Sequence, residues 1–204
     1  MVLAGGRATR MGGVDKGLQI FHGQTLVDIA LERLRQQAGG APGLIAINAN
    51  RNLAHYERLG IPVWGDTIPD YAGPLAGFLA AMQQCQGRYA WLLSVPCDSP
   101  LFPLDVLQRL SAAAQAEQAD IAMALAPDAQ EDGSSALRPQ PVFCLMRTSL
   151  APSLQSFIDG GGRKIGAWTA SHRQTKVSFG MAGDDPRAFA NANTLDELHD
   201  LEKP

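Results

Sequence analysis

Short apolar runs recur along the chain, separated by stretches in which apolar residues repeat with helical spacing. A run that is apolar at successive positions predicts a strand buried on both faces of a sheet. Residues 89–95 form the clearest run, whereas Pro62 within another predicts an edge strand, because proline cannot donate to a neighbouring strand. The predicted strands are 44–47, 61–64, 89–95, 121–125 and 142–146, preceded by a short apolar stub at 1–3.

Helical patterns fill most of the intervals between these strands. Thr25 is a suitable N-cap for the first helix, whose apolar positions continue until a glycine pair at 39–40. A stripe over 75–82 predicts the second helix, and Pro103 suits the first turn of a third that runs to Glu117. Further helices are predicted at 148–158, at 163–168 and after Thr194, where Thr194 and Glu197 have the spacing of a capping box.

Strands that alternate with helices predict an α/β fold, with three α/β/α layers and a mostly parallel central sheet of the Rossmann-like type. The chain has 204 residues, which suits a single domain over 1–204. Between residues 127 and 141 the composition changes to Asp, Gln, Ser, Gly and Pro. That change predicts a long loop, which we interpret as a lid or an acceptor-side loop.

Charge and composition exclude several classes of function. A net charge of −3 and a pI near 5.8 provide no general attraction for nucleic acid or an acidic membrane. No apolar run approaches the about 20 residues that cross a bilayer. We therefore expect a cytoplasmic protein that binds neither nucleic acid nor membrane. Cys85, Cys97 and Cys144 are odd in number and widely separated, which predicts buried thiols rather than disulfides or a zinc site.

The stretch 3–16 carries the strongest chemical signal. Its two glycine pairs, at 5–6 and 12–13, allow the backbone to curl and direct several N–H groups at one anion. Arg10 and Lys16 add positive charge, and the combination suits a triphosphate. The stretch has neither the Gly-Lys-Ser/Thr of a Walker A loop nor the spacing of the Rossmann dinucleotide loop. A surface turn with solvated charges is the simpler alternative, which the ordered set of glycines and cations disfavours.

Polar residues follow the predicted strands where each strand ends. Asn48 follows the second strand, Asp66 the third and Asp98 the fourth. Because ligands bind outside the carboxyl ends of strands in such sheets, these residues and the glycine loop are expected to share one rim. Asp98 suits a Mg²⁺ ion that phosphate oxygens and water also coordinate. Asn48 and Asp66 suit a base N–H or a ribose hydroxyl. Taken alone, Asp98 fits a turn or capping role equally well.

Three further segments are candidates for ligand contacts. The turn Gly73-Pro74-Leu75 can bring its backbone close to a base or ribose, although it also fits an ordinary turn before a helix. Arg163 and Lys164, beside glycines, suit a second phosphate-bearing substrate or a solvated turn. Asn191 and Asn193 offer short amides to an anion or a metal-bound phosphate, or support the cap of the last helix.

These motifs resemble the molybdenum cofactor guanylyltransferases, within the wider group of nucleotidyltransferases of glycosyltransferase-A-like fold. The specific parts are the loop over 3–17 and the Pro-Cys-Asp element over 96–98, and the resemblance covers nearly the whole chain. It also includes Asn48-Ala49-Asn50-Arg51, Asp66, the segments 70–77 and 140–143, and Asn191-Ala192-Asn193-Thr194-Leu195-Asp196-Glu197-Leu198. This sequence departs from the family pattern at its clipped start, because the family has a longer first strand.

The resemblance implies that GTP and molybdenum-molybdopterin react, with Mg²⁺ as cofactor, to give the guanine dinucleotide cofactor and pyrophosphate. It implies a nucleotide-binding half near 1–100, an acceptor-binding half near 101–204, and transfer of the product to cofactor-insertion and molybdoenzyme-maturation proteins. It implies GTP contacts for Leu3, Ala4, Gly5, Lys16, Asn48, Asp66 and Asp98, triphosphate contacts for Gly6 and Arg10, and pterin phosphate contacts for Arg163, Lys164, Asn191 and Asn193. Arg10, Lys16 and Asp98 are then the catalytic set, and Asp98 holds the metal.

Other functions stay open at this point. A cytidylyltransferase acting on the same pterin is the nearest alternative, followed by a sugar-phosphate nucleotidyltransferase, although the Leu-Ala-Gly-Gly opening resembles the guanine branch. A non-catalytic GTP-dependent cofactor carrier is an alternative of another class. The absence of a Walker A serine or threonine counts against a switch GTPase. An inert scaffold is disfavoured by the presence of Lys16, Asp98 and both asparagines.

Overall fold

The computed structural model describes residues 1–4, 15–68, 73–129 and 135–203. Its strands are β1 (Val2–Leu3), β2 (Ile20–Phe21), β3 (Gln24–Thr25), β4 (Ile47–Asn48), β5 (Val63–Trp64), β6 (Trp91–Pro96), β7 (Ile121–Ala129), β8 (Ser135–Arg147) and β9 (Gln174–Ser178). Its helices are α1 (Leu26–Arg35), α2 (Leu53–Glu57), α3 (Pro74–Cys85), α4 (Val106–Ala116), α5 (Ala151–Asp159), α6 (Ile165–Thr169) and α7 (Leu195–Leu201), with 3-10 turns at Lys16–Leu18 and Thr148–Leu150. None of the described helices is long and apolar enough to cross a membrane.

Seven strands form one central sheet in the order β5-β4-β1-β6-β8-β7-β9, while β2 and β3 form a separate hairpin. Neighbouring strands of the sheet are parallel except at β8, which runs antiparallel to β6 and β7. The prediction of a mostly parallel sheet is confirmed, and β5, which follows Pro62, ends the strand order as expected. We call the residues that follow β1, β4, β5 and β6 the carboxyl rim, because these four adjacent strands end at the same edge.

Helices cover both faces of the sheet, since side chains alternate in direction along each strand. Leu93 and Val95 of β6 belong to one core with α1 and α4, whereas Leu92 belongs to a second core with α3, α5 and α6. The structure therefore has the three predicted layers. Thr25 caps α1 as expected, with its Oγ1 accepting from the Asp28 N–H at 3.2 Å.

The prediction of a long loop over 127–141 is wrong. β7 and β8 pair through most of this stretch as an antiparallel hairpin, with Leu125 opposite Pro139 and Pro127 opposite Leu137. The apolar signal fades there because residues 136–139 are exposed, and the strand is maintained by the ladder of backbone hydrogen bonds rather than by burial. Residues 130–134 lie outside the described part of the chain.

Some boundaries also differ from the prediction. α4 begins at Val106 rather than Pro103, because the carbonyl oxygens of Pro103 and Leu104 accept from Gln37 Nε2 at 3.1 Å and Ala38 N at 2.6 Å. These bonds hold the segment against the end of α1 instead of in a helix. The sequence pattern does not predict β9, α2 or the β2–β3 hairpin, since each is too short to show a clear period.

Candidate active site

Lys16 and Asp98 lie side by side on the carboxyl rim. The Lys16 Nζ donates to Asp98 Oδ2 at 2.8 Å, and the two side chains are 19% and 18% exposed. The sheet positions Asp98, because the N–H of Cys97 just before it donates to the Leu3 carbonyl oxygen of β1 at 3.1 Å. The ion pair is therefore accessible from solvent while its carboxylate is held by the central strands.

The last segment of the chain lies against this ion pair. Lys16 Nζ also donates to Asn193 Oδ1 at 2.8 Å, and Ser99 Oγ donates to Asn191 Oδ1 at 2.5 Å. Between the two asparagines, the Ala192 N–H donates to the Asp98 carbonyl oxygen at 2.8 Å. Asn191 and Asn193 come late in the sequence, yet they lie beside Lys16 and Asp98, which belong to its first half.

The start of α7 holds Asn193 in place. Thr194 Oγ1 accepts from the Glu197 N–H at 3.1 Å, as the capping-box spacing predicts. Glu197 Oε2 accepts from the Asn193 N–H at 2.6 Å, which is one residue earlier than the usual partner in such a box. The cap therefore fixes the backbone of the residue whose side chain contacts Lys16.

A second polar cluster occupies the rim after β4 and β5. Asp66 Oδ1 accepts from Asn48 Nδ2 at 2.9 Å, and Asp66 Oδ2 accepts from Asn50 Nδ2 at 2.8 Å. Asn50 Oδ1 in turn accepts from the Asp66 N–H at 2.8 Å. A carboxylate can accept about four hydrogen bonds, so Asp66 keeps acceptor capacity for a ligand. Asn50 is not among the predicted site residues. It lies two residues after Asn48, however, and that spacing places two side chains on one face of a strand.

The strand β1 and the start of α3 border this cluster. Ala4 N donates to the Asn48 carbonyl oxygen at 2.9 Å, so Leu3 and Ala4 lie between the two polar clusters. Gly73 (φ 64°) and Pro74 are exposed at the start of α3, whereas Leu75 is buried in the core behind it. Leu75 as a whole residue is 0% exposed, so its predicted contact with a nucleotide stays a prediction.

Gly77 in α3 packs directly on Asn48, and we predict that Gly77→Ala weakens nucleotide binding and stability. A Cβ there would collide with Asn48 Oδ1 and lie 2.6 Å from Leu3 Cδ2. Overpacking of this kind costs about 1–3 kcal/mol, and it would displace the Asn48 amide from Asp66. The measurements are thermal melting and the KM for the nucleotide.

Gly166→Ala is the matched control, because a Cβ at Gly166 in α6 meets no described heavy atom within 4 Å. We expect this variant to keep the wild-type KM and to melt at the same or a slightly higher temperature, since alanine favours helix by about 1 kcal/mol. A wild-type KM for the nucleotide in Gly77→Ala would contradict a nucleotide role for Asn48.

Arg163 and Lys164 lie apart from these clusters. Arg163 Nη1 donates to the carbonyl oxygens of Ile158 at 2.9 Å and Gly162 at 2.8 Å, and thus caps the end of α5. Among contacts between described residues, neither Arg163 nor Lys164 touches Lys16 or Asp98. α5 follows Thr148, whose N–H donates to Ala90 O just before β6. The acceptor contacts predicted for Arg163 and Lys164 therefore stay a prediction.

Several predicted contacts fall outside the described residues. They are Gly5, Gly6 and Arg10, together with the glycine pair at 12–13 and residues 70–72. Their assignment stays a prediction. The described residues Ala4 and Asp15 flank the first of these segments and both lie at the rim, beside Asn48 and Lys16 respectively.

The donor set at Asp98 fits a magnesium ion bound together with a nucleotide. The cation already in contact with Asp98 Oδ2 is the Lys16 ammonium group, which shows that this oxygen faces a position suited to positive charge. Within the described parts of the chain, no group of three His, Cys, Asp or Glu side chains is arranged to hold a metal. Asp98 would therefore share the ion with phosphate oxygens and water, as is usual for Mg²⁺.

Cys97 is the nearest thiol to this site and is buried. Burial raises the pKa of the Cys97 thiol well above its ordinary value, and the negative charges of Asp98 and Asp15 raise it further. Because the thiolate is the reactive form, this environment disfavours Cys97 as a nucleophile.

The sequence matches the family described as the MobA-like NTP transferase domain over residues 1–175, which defines the class of the protein. It is 58% identical over 203 residues to the molybdenum cofactor guanylyltransferase of Acidovorax ebreus, covering 99% of this chain and 93% of that protein. It is 57% identical over 202 residues to that of Albidiferax ferrireducens, covering 99% and 94%. The chain belongs to the molybdenum cofactor guanylyltransferases.

Solved structures agree with this fold. The structure of molybdopterin-guanine dinucleotide biosynthesis protein A from Archaeoglobus fulgidus matches with a TM-score of 0.72 at 22% identity, covering 99% of this chain and 95% of that one. The bifunctional IspDF from Campylobacter jejuni matches with a TM-score of 0.71 at 14% identity, covering 97% of this chain and 52% of that one. At these identities the likeness concerns the fold, and the predicted nucleotidyltransferase architecture is confirmed.

Proposed function

We propose that this chain transfers GMP from GTP to the terminal phosphate of molybdenum-molybdopterin, with Mg²⁺ at Asp98, and releases pyrophosphate. The observation that carries the proposal is the meeting of Lys16, Asp98 and Asn193 within hydrogen-bond distance at one edge of the sheet. A cation, a metal-binding carboxylate and an amide at one point suit the reaction of two phosphate-bearing substrates.

GTP in this proposal lies along the carboxyl rim. Its base or ribose is read by Asn48 and Asp66. The Asp66 carboxylate keeps acceptor capacity, whereas the Asn48 amide nitrogen already donates to Asp66 and to the Trp64 carbonyl oxygen, which leaves its Oδ1 for a further bond. Its phosphates lie toward Lys16 and Asp98. The predicted contacts at Leu3, Ala4, Gly5, Gly6, Arg10, Gly73, Pro74 and Leu75 belong to the same proposal.

The chemistry depends on alignment and charge neutralisation. An oxygen of the pterin's terminal phosphate forms a bond to the α-phosphorus of GTP, while the bond from that phosphorus to the bridging oxygen breaks and pyrophosphate leaves with the electron pair. The attacking oxygen is already anionic, so no general base is needed. Bound Mg²⁺ supplies neutralisation of the phosphate charge. When the ion is bound, Lys16 donates to phosphate oxygens rather than to Asp98, since the ammonium group and the metal ion would repel each other strongly at the same carboxylate oxygen.

The acceptor is proposed to bind through the second half of the chain. Asn191 and Asn193 support this because they lie against Ser99 and Lys16, beside the carboxylate proposed to hold the metal. Arg163 and Lys164 are proposed to attract the pterin phosphate from the turn after α5, where Lys164 is exposed. The division into a nucleotide-binding half near 1–100 and an acceptor-binding half near 101–204 follows this arrangement.

A competition between nucleotides tests the choice of base. Pyrophosphate release is measured with molybdenum-molybdopterin and equal concentrations of GTP, CTP or ATP, and the dinucleotide product is identified by mass spectrometry. We expect release with GTP and little with the other two. Preference for CTP would assign the chain to cytidylyl transfer, and GTP binding without pyrophosphate release would indicate a carrier.

Two further expectations belong to this proposal. We place the reaction in the cytoplasm, in keeping with Cys85, Cys97 and Cys144, which are free thiols as a reducing compartment requires. The product is expected to pass to cofactor-insertion and molybdoenzyme-maturation proteins. No nucleic acid or membrane takes part in the proposed reaction.

A further inference from the structure

Asp15 is a buried carboxylate immediately before Lys16, only 7% exposed. It accepts three hydrogen bonds, from the Tyr56 hydroxyl at 2.6 Å, from Asn52 Nδ2 at 2.9 Å and from the Gly17 N–H at 3.1 Å. No role for Asp15 is predicted from the sequence. A buried charge needs such a set of donors to be tolerated, so its neighbours on α2 and in the 3-10 turn are organised around it.

The carboxylate fixes the turn that carries Lys16. Asp15 is the N-cap of the 3-10 turn Lys16–Leu18, because its Oδ1 accepts from the Gly17 N–H. Its carbonyl oxygen accepts from the Leu18 N–H at 3.2 Å and from Gln19 Nε2 at 3.1 Å. The backbone that follows Lys16 is thereby bonded to the residue that precedes it, and the Lys16 side chain reaches Asp98 from this turn.

Tyr56 supports this turn from beneath. It is fully buried, and a Cβ at Gly17 would lie only 2.6 Å from its hydroxyl, so the turn rests directly on the tyrosine. Burial and the hydrogen bond to Asp15 both raise the pKa of Tyr56. The hydroxyl therefore stays protonated and keeps donating to Asp15 across the working range of the enzyme.

We propose that Asp15 and Tyr56 are positioning residues for Lys16 and set where its ammonium group meets the triphosphate. This rests on the proposed role of Lys16 in the transfer reaction. A lysine side chain has many rotamers, so the position of its ammonium group depends on a fixed backbone. A displacement of about 1 Å at a reacting group lowers rates by up to about a hundredfold, which makes the support under Lys16 a determinant of turnover.

The test is Tyr56→Phe, which removes one hydroxyl and keeps the ring in the core. We expect kcat for pyrophosphate release to fall by about tenfold, while the KM for GTP changes by less than about twofold. In a Lys16→Ala background the same substitution is expected to cause no further loss, because the group it positions is absent. Asn52→Gly should also lower kcat. Glycine is chosen because the backbone of Asn52 has a φ of 51°, which glycine adopts readily.

Two controls separate positioning from general destabilisation. Tyr89→Phe removes a hydroxyl near the opposite end of β6 and should leave kcat unchanged. Ile158→Val shortens a buried side chain of α5 and should lower the melting temperature without lowering kcat. An unchanged kcat in Tyr56→Phe, or an equal proportional loss with and without Lys16, would overturn the inference. A wild-type protein that releases no pyrophosphate would instead overturn the proposed function.

Discussion

Asp98→Ala is expected to lower pyrophosphate release by at least about a thousandfold, because metal stabilisation of transferring phosphates is worth several kcal/mol. Asp98 is the carboxylate that faces the Lys16 ammonium group at the rim, and the described residues offer no cluster of acidic side chains to replace it. Turnover is measured at saturating GTP and molybdenum-molybdopterin, with Mg²⁺ in excess. Asp98→Asn keeps the shape of the side chain but not its charge, and should be similarly inactive.

The fold is expected to survive this change. The Lys16–Asp98 pair is partly buried, so its loss is expected to cost somewhat more than the about 0–1 kcal/mol of an exposed ion pair, and about 1 kcal/mol moves the melting temperature of a domain of this size by about 2–4 °C. Asp120→Ala is a matched control, since Asp120 pairs with Arg147 and Arg173 just before β7, away from the rim. Asp120→Ala should melt at a temperature similar to that of Asp98→Ala and keep full activity. Near-normal turnover in Asp98→Ala would refute the metal role.

The rim could be predicted because its residues follow strong local signals. Asn48, Asp66 and Asp98 each come just after an apolar run, and parallel strands bring such positions to one edge. The register is direct evidence of this, since Leu3 pairs with Asn48 on one side and Pro96 on the other. The positions of these residues in the fold thus follow from periodicity and topology alone.

Other features depend on contacts that no local pattern encodes. Lys16 and Asn193 are 177 residues apart, and their hydrogen bond requires the segment after β9 to return to the rim. Asp15 is charged and therefore expected at the surface, yet Tyr56 and Asn52 make its burial possible. The hairpin of β7 and β8 contains Pro127, Pro139 and Pro141 and is exposed over 136–139, so it lacks the continuous apolar run by which the other strands are recognised.

Lys16→Ala is expected to lower kcat by about a hundredfold to a thousandfold, the usual effect of removing one preorganised donor from a developing charge. The chemical step should be affected more than substrate binding, because the ammonium group neutralises charge that grows as pyrophosphate leaves. Single-turnover kinetics with bound GTP measure this step directly. Lys176→Ala, which removes an exposed lysine from β9, is the matched control and should be fully active. A defect confined to a higher KM for the pterin would show that Lys16 serves the acceptor instead.

The same variant is also expected to bind Mn²⁺ more tightly than the wild type when no nucleotide is present. In the wild type the Lys16 ammonium group lies 2.8 Å from Asp98 Oδ2, the oxygen that is proposed to hold the metal. A metal must therefore displace a cation, and a triphosphate favours that exchange by offering Lys16 another anion. Titration of free Mn²⁺ by electron paramagnetic resonance measures the affinity. The double variant Lys16→Ala/Asp98→Ala should lose the gain in Mn²⁺ affinity. Equal affinities in wild type and Lys16→Ala would mean that the ion pair does not control metal entry.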